Sequence, residues 1–223
     1  MNTKWKYLSY PLHPNAPAYG GNQAFFDEPD KQMSKGDSCN TRQWRMSNHM
    51  GTHIDFPKHF SNNGSVCDDY SADFWVFSSC AVLDIAAVNP GQIITVDYLE
   101  LARLPDNIEL LLLKTGFCNL RDNPVYFQKN PGLHPLIADS LRDKLPNLRV
   151  IGFDLISVSS YAYRELGRKA HRAFLDNDKP ILLIEDMDLT TINGNTSIQQ
   201  VIITPLRVKR ADAAPCTVLV EVS

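Results

Sequence analysis

The chain has 223 residues, of which 43% are hydrophobic and 21% charged, with a formal net charge of -3. That length suffices to bury a substantial core, and the charge balance offers neither a basic stripe for nucleic acid nor an acidic tail. No window approaches the roughly 18 apolar residues of a membrane helix, and "MNTKWKYLSYPLHP" lacks an apolar stretch of signal-peptide length. The five cysteines (Cys39, Cys67, Cys80, Cys118 and Cys216) are odd in number, far apart and free of any CxxC pair. They read as free thiols in a reducing compartment, so the cytoplasm is the expected location.

The first 70 residues are rich in Pro, Asn, Asp and Gly. Their helix signal is weak, and they read as hairpins and loops laid over a later layer. A strand follows in "CAVLDIA" from Cys80, then a helix near Thr95 in "TVDYLELARL". "ELLLLKTGF" from Glu109 is a strand, "PLIADSLRDKL" from Pro135 a helix, and "RVIGFDLISV" from Arg149 a strand. A third helix begins near Tyr163 in "YRELGRKAHRAFLDND". Three strands close the chain: "PILLIED" from Pro180, "QVIITPLRV" from Gln200 and "TVLVEV" from Thr217. Strands alternating with helices predict an α/β fold. Without repeats, low-complexity tracts or long linkers, residues 1–223 read as a single domain.

"HMGTHIDFPKHF", from His49 to Phe60, concentrates three histidines and an aspartate in twelve residues. As extended chain it puts His49, Gly51, His53 and Asp55 on one face and Met50, Thr52, Ile54 and Phe56 on the other. Gly51 then leaves space between two imidazoles, Pro57 stops the strand, and His59 follows within reach. A helix would also align His49 with His53, but it would bury Gly51 inside, move Asp55 away and lack the Glu of HExxH. Two imidazoles and a carboxylate suit Zn²⁺, and a mixed N,O set also suits Mn²⁺ or Fe²⁺. The plain alternative is a polar strand with hydrogen-bonded histidines.

Two further ligand candidates lie close in sequence. On the third helix, Leu166, Ala170, Ala173 and Phe174 form an apolar face. His171 sits about 60° from Phe174, at the flank of that face, with Gly167 one turn earlier leaving room. Glu185 ends an apolar strand, where burying a carboxylate is costly without a partner.

These residues resemble a known family. "HMGTHIDFPKHF" is similar to the HxGTHxDxPxH motif of the cyclase family of metal-dependent hydrolases, which includes bacterial kynurenine formamidase (arylformamidase) and isatin hydrolase. "YLSYPLHPNAPAYGG", "LLKTGF", "IGFDLISV", "HRAFLDNDKPILLIEDMDL" and "TPLRVKRADAAPCTVLVEV" resemble further family stretches, so the likeness runs over nearly the whole chain. It implies an α/β structure with a swivelling β/β/α arrangement, a mixed sheet with helices, in homodimers or homotetramers. It implies that His49, His53 and Asp55 bind a first metal and that His171 and Glu185 complete a second position bridged by Asp55. His59 would be the acid/base. The cofactor would be one or two divalent ions, zinc in most members and manganese in isatin-hydrolase-like ones.

The implied activity is amide hydrolysis by metal-activated water, with His59 passing a proton to the leaving group. The substrate would be a small aromatic amide: an aryl formamide such as N-formylkynurenine, which belongs to tryptophan catabolism, or a lactam opened as in isatin hydrolase. A different class, a non-catalytic metal-binding protein, would need a site closed by protein ligands. Phe25, Trp44, Phe60 and Trp75 are candidate aromatic walls, with Phe26 beside them, and Arg42 and Arg45 are candidates for a substrate carboxylate. The chain departs from the family pattern at Tyr7, Ser159 and Thr217, where Asp, Asp and Arg are usual; these bear on substrate identity.

Overall fold

The apolar runs become the middle of one mixed sheet. A computed structural model describes residues 4–85 and 88–223. In chain order the strands and helices begin with β1 (Lys4–Tyr7), β2 (Phe25–Lys31), β3 (Thr41–Met46), β4 (His53–Asp55), β5 (Val76–Phe77) and β6 (Cys80–Asp84). They continue with β7 (Ile93–Ile94), β8 (Leu110–Lys114), α1 (Pro124–Gln128), β9 (Gly132–Leu133), α2 (Leu136–Lys144) and β10 (Val150–Phe153). The last are α3 (Arg164–Leu175), β11 (Leu182–Glu185), β12 (Ile198–Pro205) and β13 (Ala213–Val222).

The main sheet runs β5-β12-β13-β4-β11-β10-β8-β6, with β1 on β13. Strands β6, β8, β10 and β11 are parallel. Helix α2 lies in the β8–β10 crossover and α3 in the β10–β11 crossover. Continuous apolar runs fit this arrangement, since parallel strands are covered on both faces: β10 and β11 are wholly buried. β12 and β13 alternate buried with exposed positions, as an antiparallel pair with one wet face does.

β4 is three residues long, yet it occupies the middle of this sheet, antiparallel to both β11 and β13. The N-terminal part is therefore more than a cover. It contributes β1 and β4 to the sheet, while β2 and β3 form the expected separate hairpin.

The helix expected near Thr95 is instead two 3-10 turns, Val96–Tyr98 and Leu101–Arg103. Leu99 and Leu104 are both buried. Five positions apart on an α-helix, they would point roughly 140° from one another. An extended residue at Leu99 lets both reach the core, and Pro105 ends the segment. The five cysteines are free thiols, and no helix among the described residues is long and apolar enough to cross a membrane.

Candidate metal centre

The site grows from the register of β4. His53 pairs with Glu185 of β11 and with Pro215 of β13, while Asp55 pairs with Leu183 and Ala213. Directly opposed residues share a face, so His53, Asp55 and Glu185 converge there, and Ile54 and Phe56 enter the core on the other side. Helix α3 covers the polar face with His171. The Pro57–His59 turn, with Pro57 as its first residue, brings His59 to the edge.

The segment before β4 is not extended as the alternation pattern predicted. Gly51 has φ +62°, and residues 49–52 form a bend. A Cβ at Gly51 would also overlap the Leu12 side chain. The glycine thus serves a left-handed turn and close packing on Leu12, rather than only a gap between imidazoles. The bend still delivers His49 to Asp55, with Nδ1 3.0 Å from Oδ1.

Four groups form a closed ring of nitrogen–oxygen approaches. His53 Nε2 is 3.5 Å from Asp55 Oδ1 and 3.5 Å from Glu185 Oε2. His171 Nε2 is 3.6 Å from Asp55 Oδ2 and 3.6 Å from Glu185 Oε1. All four residues are buried. Among the described residues, two sets of three donors lie within 4.8 Å of one another: His53, Asp55, Glu185 and His49, Asp55, His59. Asp55 is common to both, but the trios differ from the expected ones: Glu185 joins His53, His59 joins His49, and His171 is in neither. His59 stands closer to the donors than a group merely beside them would.

Hydrogen bonds orient these side chains. The Nδ1–H of His53 donates to the Gly51 carbonyl at 2.9 Å. That of His171 donates to the Gly167 carbonyl at 3.0 Å, with Ser159 Oγ 3.2 Å away. In each neutral ring this leaves the Nε2 lone pair on the ring of donors, the arrangement that suits a metal ligand. Glu185 Oε1 accepts from Val158 N at 2.7 Å and from Ser157 Oγ at 3.1 Å. Gly167 lets α3 press on Ser159, since a Cβ there would overlap Ser159 Oγ, Cβ and Cα.

The donor set fits a divalent cation. His53 Nε2 and both Asp55 oxygens are buried without a hydrogen-bond partner. The large majority of buried polar atoms find partners, whereas here Asp55 Oδ1 faces His53 Nε2 and Oδ2 faces His171 Nε2 at 3.5 and 3.6 Å. The electrostatics of the donors carry the same tension. Burial works against a charged His171, but the Asp55 and Glu185 carboxylates outweigh it and push the imidazole up to about 9. Burial likewise opposes a charged His49, which Asp55 and Asp212 push up to about 9. Burial also works against ionised Asp55, yet the surrounding histidines hold it well below the usual carboxylate range. His59 moves the other way: burial lowers it, with repulsion from His49 and His171 adding to the effect.

The donors floor a cavity of about 450 Å³. Its walls include Phe60, Tyr19, Tyr161, Arg164 and Arg168. Phe60 stacks on His171, with ring centroids 4.5 Å apart. The other three aromatic candidates lie outside the walls. Phe25 is buried in a small apolar cluster with Ala16, Ala18 and Met50. Trp44 is 68% exposed on the hairpin. Trp75 packs on Phe56, the core side of the β4 segment. Nearness in sequence to the histidine motif did not decide which face each ring would take. Arg42 pairs with Asp27 on the hairpin, and Arg45 stacks over Phe26. The cationic wall comes instead from Arg164, stacked over Tyr161, and Arg168. Sequence reading also missed Asp212, which contacts His49 and His59. Tyr19 lay within the "YLSYPLHPNAPAYGG" likeness and Asp212 within "TPLRVKRADAAPCTVLVEV", whereas Arg164 and Arg168 carried no local signal.

Residues 7–160 match the family described as "Putative cyclase". The chain belongs to this cyclase family. Among curated relatives of this cyclase-family chain, the kynurenine formamidase of Bacillus cereus is 28% identical over 219 residues, covering 98% of each protein. That of Bacillus cytotoxicus is 27% identical over 221 residues, again 98% of each. The cyclase fold is shared with isatin hydrolase A from Labrenzia aggregata, solved with benzyl benzoate bound. The TM-score is 0.80 at 21% identity, covering 99% of this chain and 94% of that one. A potential metal-dependent hydrolase with cyclase activity gives 0.75 at 20% identity, covering 99% of both chains.

Proposed function

We propose that the protein is a metal-dependent hydrolase cleaving an amide bond in a small aromatic substrate, with an aryl formamide such as N-formylkynurenine as the leading choice. The observation that carries this reading is the buried ring of His53, Asp55, His171 and Glu185, with Asp55 unpartnered at both oxygens beside an open cavity. The curated relatives named kynurenine formamidase support the choice of substrate.

In this reading His49, His53 and Asp55 hold one divalent ion, and Asp55, His171 and Glu185 hold a second. Zinc suits the mixed imidazole and carboxylate set, and manganese is accepted by the same donors. Such an ion, when bound, supplies Lewis acidity and makes water ionisable near neutral pH. His59, at the cavity edge, accepts the proton and returns it to the leaving nitrogen. Burial lowers the pKa of its imidazole, which favours the neutral form able to accept a proton. Phe60, Tyr19 and Tyr161 flank an aromatic substrate, and Arg164 and Arg168 offer positive charge at the wall. A purely structural metal site would be closed by protein ligands; here the donors face a cavity large enough for a small molecule.

The test combines elemental analysis of the purified protein with turnover of N-formylkynurenine, isatin and simple aryl esters. Near-stoichiometric zinc or manganese is expected, with turnover of the formamide that His59→Ala loses while keeping its metal. Opening of isatin alone would move the substrate to the lactam class. Metal without turnover of any of the three, or full activity in His59→Ala, would overturn the reading.

A further inference from the structure

One carboxylate outside the ring of donors holds the two imidazoles beside that ring, His49 and His59. Asp212 Oδ2 is 3.2 Å from His49 Nε2 and 3.3 Å from His59 Nδ1. Its other oxygen, Oδ1, accepts a hydrogen bond from Asn48 Nδ2 at 2.8 Å. The backbone fixes the residue as well. The Asp212 carbonyl accepts from Phe56 N at 2.9 Å, at the entry to the turn that carries His59. The next residue, Ala213, pairs with Asp55. The two imidazoles lie side by side, with ring centroids 4.1 Å apart. Asp212 is therefore tied to β4, to the turn and to both rings.

We propose that Asp212 is a positioning residue that sets the tautomer and orientation of His59 and His49 together. Held at Nδ1 by a carboxylate, a neutral His59 carries its proton there and keeps the Nε2 lone pair free. Held at Nε2, His49 presents Nδ1 to Asp55. A carboxylate on the far nitrogen of an imidazole fixes the ring and raises its basicity, whether the ring is a metal ligand or a base. A single aspartate here does both at once, coupling the orientation of the base to that of a ligand. The His59 half rests on the hydrolase reading above; the His49 half needs only that a metal binds.

The test uses full-length, zinc-loaded protein in three forms: wild type, Asp212→Asn and Asp212→Ala. Imidazole ¹⁵N shifts report the tautomer of His59, and competition with a chromophoric chelator reports zinc affinity. Wild type is expected to show His59 protonated at Nδ1. Both variants are expected to shift toward the Nε2–H form, to lose about 10- to 100-fold in zinc affinity, and to lose kcat with KM little changed. Asp212→Glu should restore part of each. An Nδ1–H His59 and zinc affinity within twofold of wild type in both variants would overturn the proposal. Asp212 is 40% exposed, and Asn keeps its shape, so the two substitutions separate positioning from folding. If His59→Ala stays active, the proton role of His59 is lost, while the tautomer and affinity results still decide the role of Asp212.

Discussion

Glu185 stands directly opposite His53 across the antiparallel β4–β11 pair, with Oε2 3.5 Å from Nε2. The two residues are 132 positions apart in the chain, and neither alone distinguishes a ligand from an ordinary buried polar group. Their opposition is a matter of register. A slip of one residue between β4 and β11 would turn His53 and Asp55 to the core side and place Ile54 over the cavity.

His53→Ala removes a donor whose Nε2 faces Asp55 and Glu185. Metal content after chelator treatment and reloading is expected to fall sharply, with the fold retained by circular dichroism. Full occupancy in this variant would show that His53 is not a ligand.

The carboxylates facing His171 and His49 push both imidazoles up to about 9, above the ordinary 6.5. A group whose pKa is raised on folding stabilises fully below its unfolded value and loses that contribution as pH climbs through the folded one. Melting temperature of chelator-treated protein should therefore fall between about pH 6.5 and pH 9. Asp55 is held low, so a second decline is expected as pH drops below 3.8. Metal ligation needs neutral imidazoles, so metal uptake should release protons and strengthen with pH across the same alkaline window. A chelator-treated protein that gains stability from pH 6.5 to 9 would contradict this account.

Gly167→Ala inverts an ordinary rule. Replacing a helical glycine by alanine usually stabilises by about 1 kcal/mol. Here the new Cβ would overlap Ser159, including its Cα at 2.8 Å. Overpacking of this kind costs about 1–3 kcal/mol, and lifting α3 would draw His171 from Asp55. Reduced stability and weaker metal binding are expected in urea titrations and chelator competition, with part of each recovered in the Gly167→Ala, Ser159→Gly pair, which removes the Oγ and Cβ overlaps but not that with Cα. An alanine variant as stable as wild type would show that α3 can shift freely.

Behind Glu185 lies a buried ion pair. Arg121 Nε and Nη2 donate to Asp186 at 2.9 and 2.7 Å, and Tyr126 Oη–H donates to the same carboxylate at 2.7 Å. Asp186 has φ +53° and is fully buried. Its carbonyl accepts from Thr52 Oγ1 at 2.6 Å, joining the end of β11 to the histidine segment. Arg121→Met leaves this carboxylate without its cation and should cost about 3–5 kcal/mol in denaturant unfolding. Arg121→Met with Asp186→Leu should recover much of that loss. A single-variant cost under about 1 kcal/mol would mean the pair is not stabilising in the way its burial implies.

Much was legible locally. The apolar runs from Cys80, Glu109, Arg149 and Pro180 became strands because their length and lack of alternation match a sheet covered on both faces. The helices at Pro135 and Tyr163 appeared where an apolar stripe repeats with a period near 3.6. The Thr95 segment shows the limit of that reasoning. Its apolar residues satisfy a helical period, but Leu99 and Leu104 are both drawn into the core, and burial prevailed over local preference.

The cavity walls were the least legible part. Phe25, Trp44, Phe60 and Trp75 are all aromatic and near the motif, yet only Phe60 reaches the site. An aromatic ring buries well on either side of a sheet, so its identity carries no direction. Arg164 and Arg168 line the cavity because α3 crosses the polar face of β4, which no local pattern announces.

The sequence by itself determined the chemistry: imidazoles and carboxylates at set spacings along "HMGTHIDFPKHF", a helical His171 and a strand-end Glu185, since residue type and local period are written in the chain. Tertiary structure alone decided that Glu185 opposes His53, that Asp55 serves both donor sets, and that Asp212 grips His49 and His59. Those relations depend on register between distant strands and on the packing of α3. Both are set by burial of the whole core rather than by any local stretch.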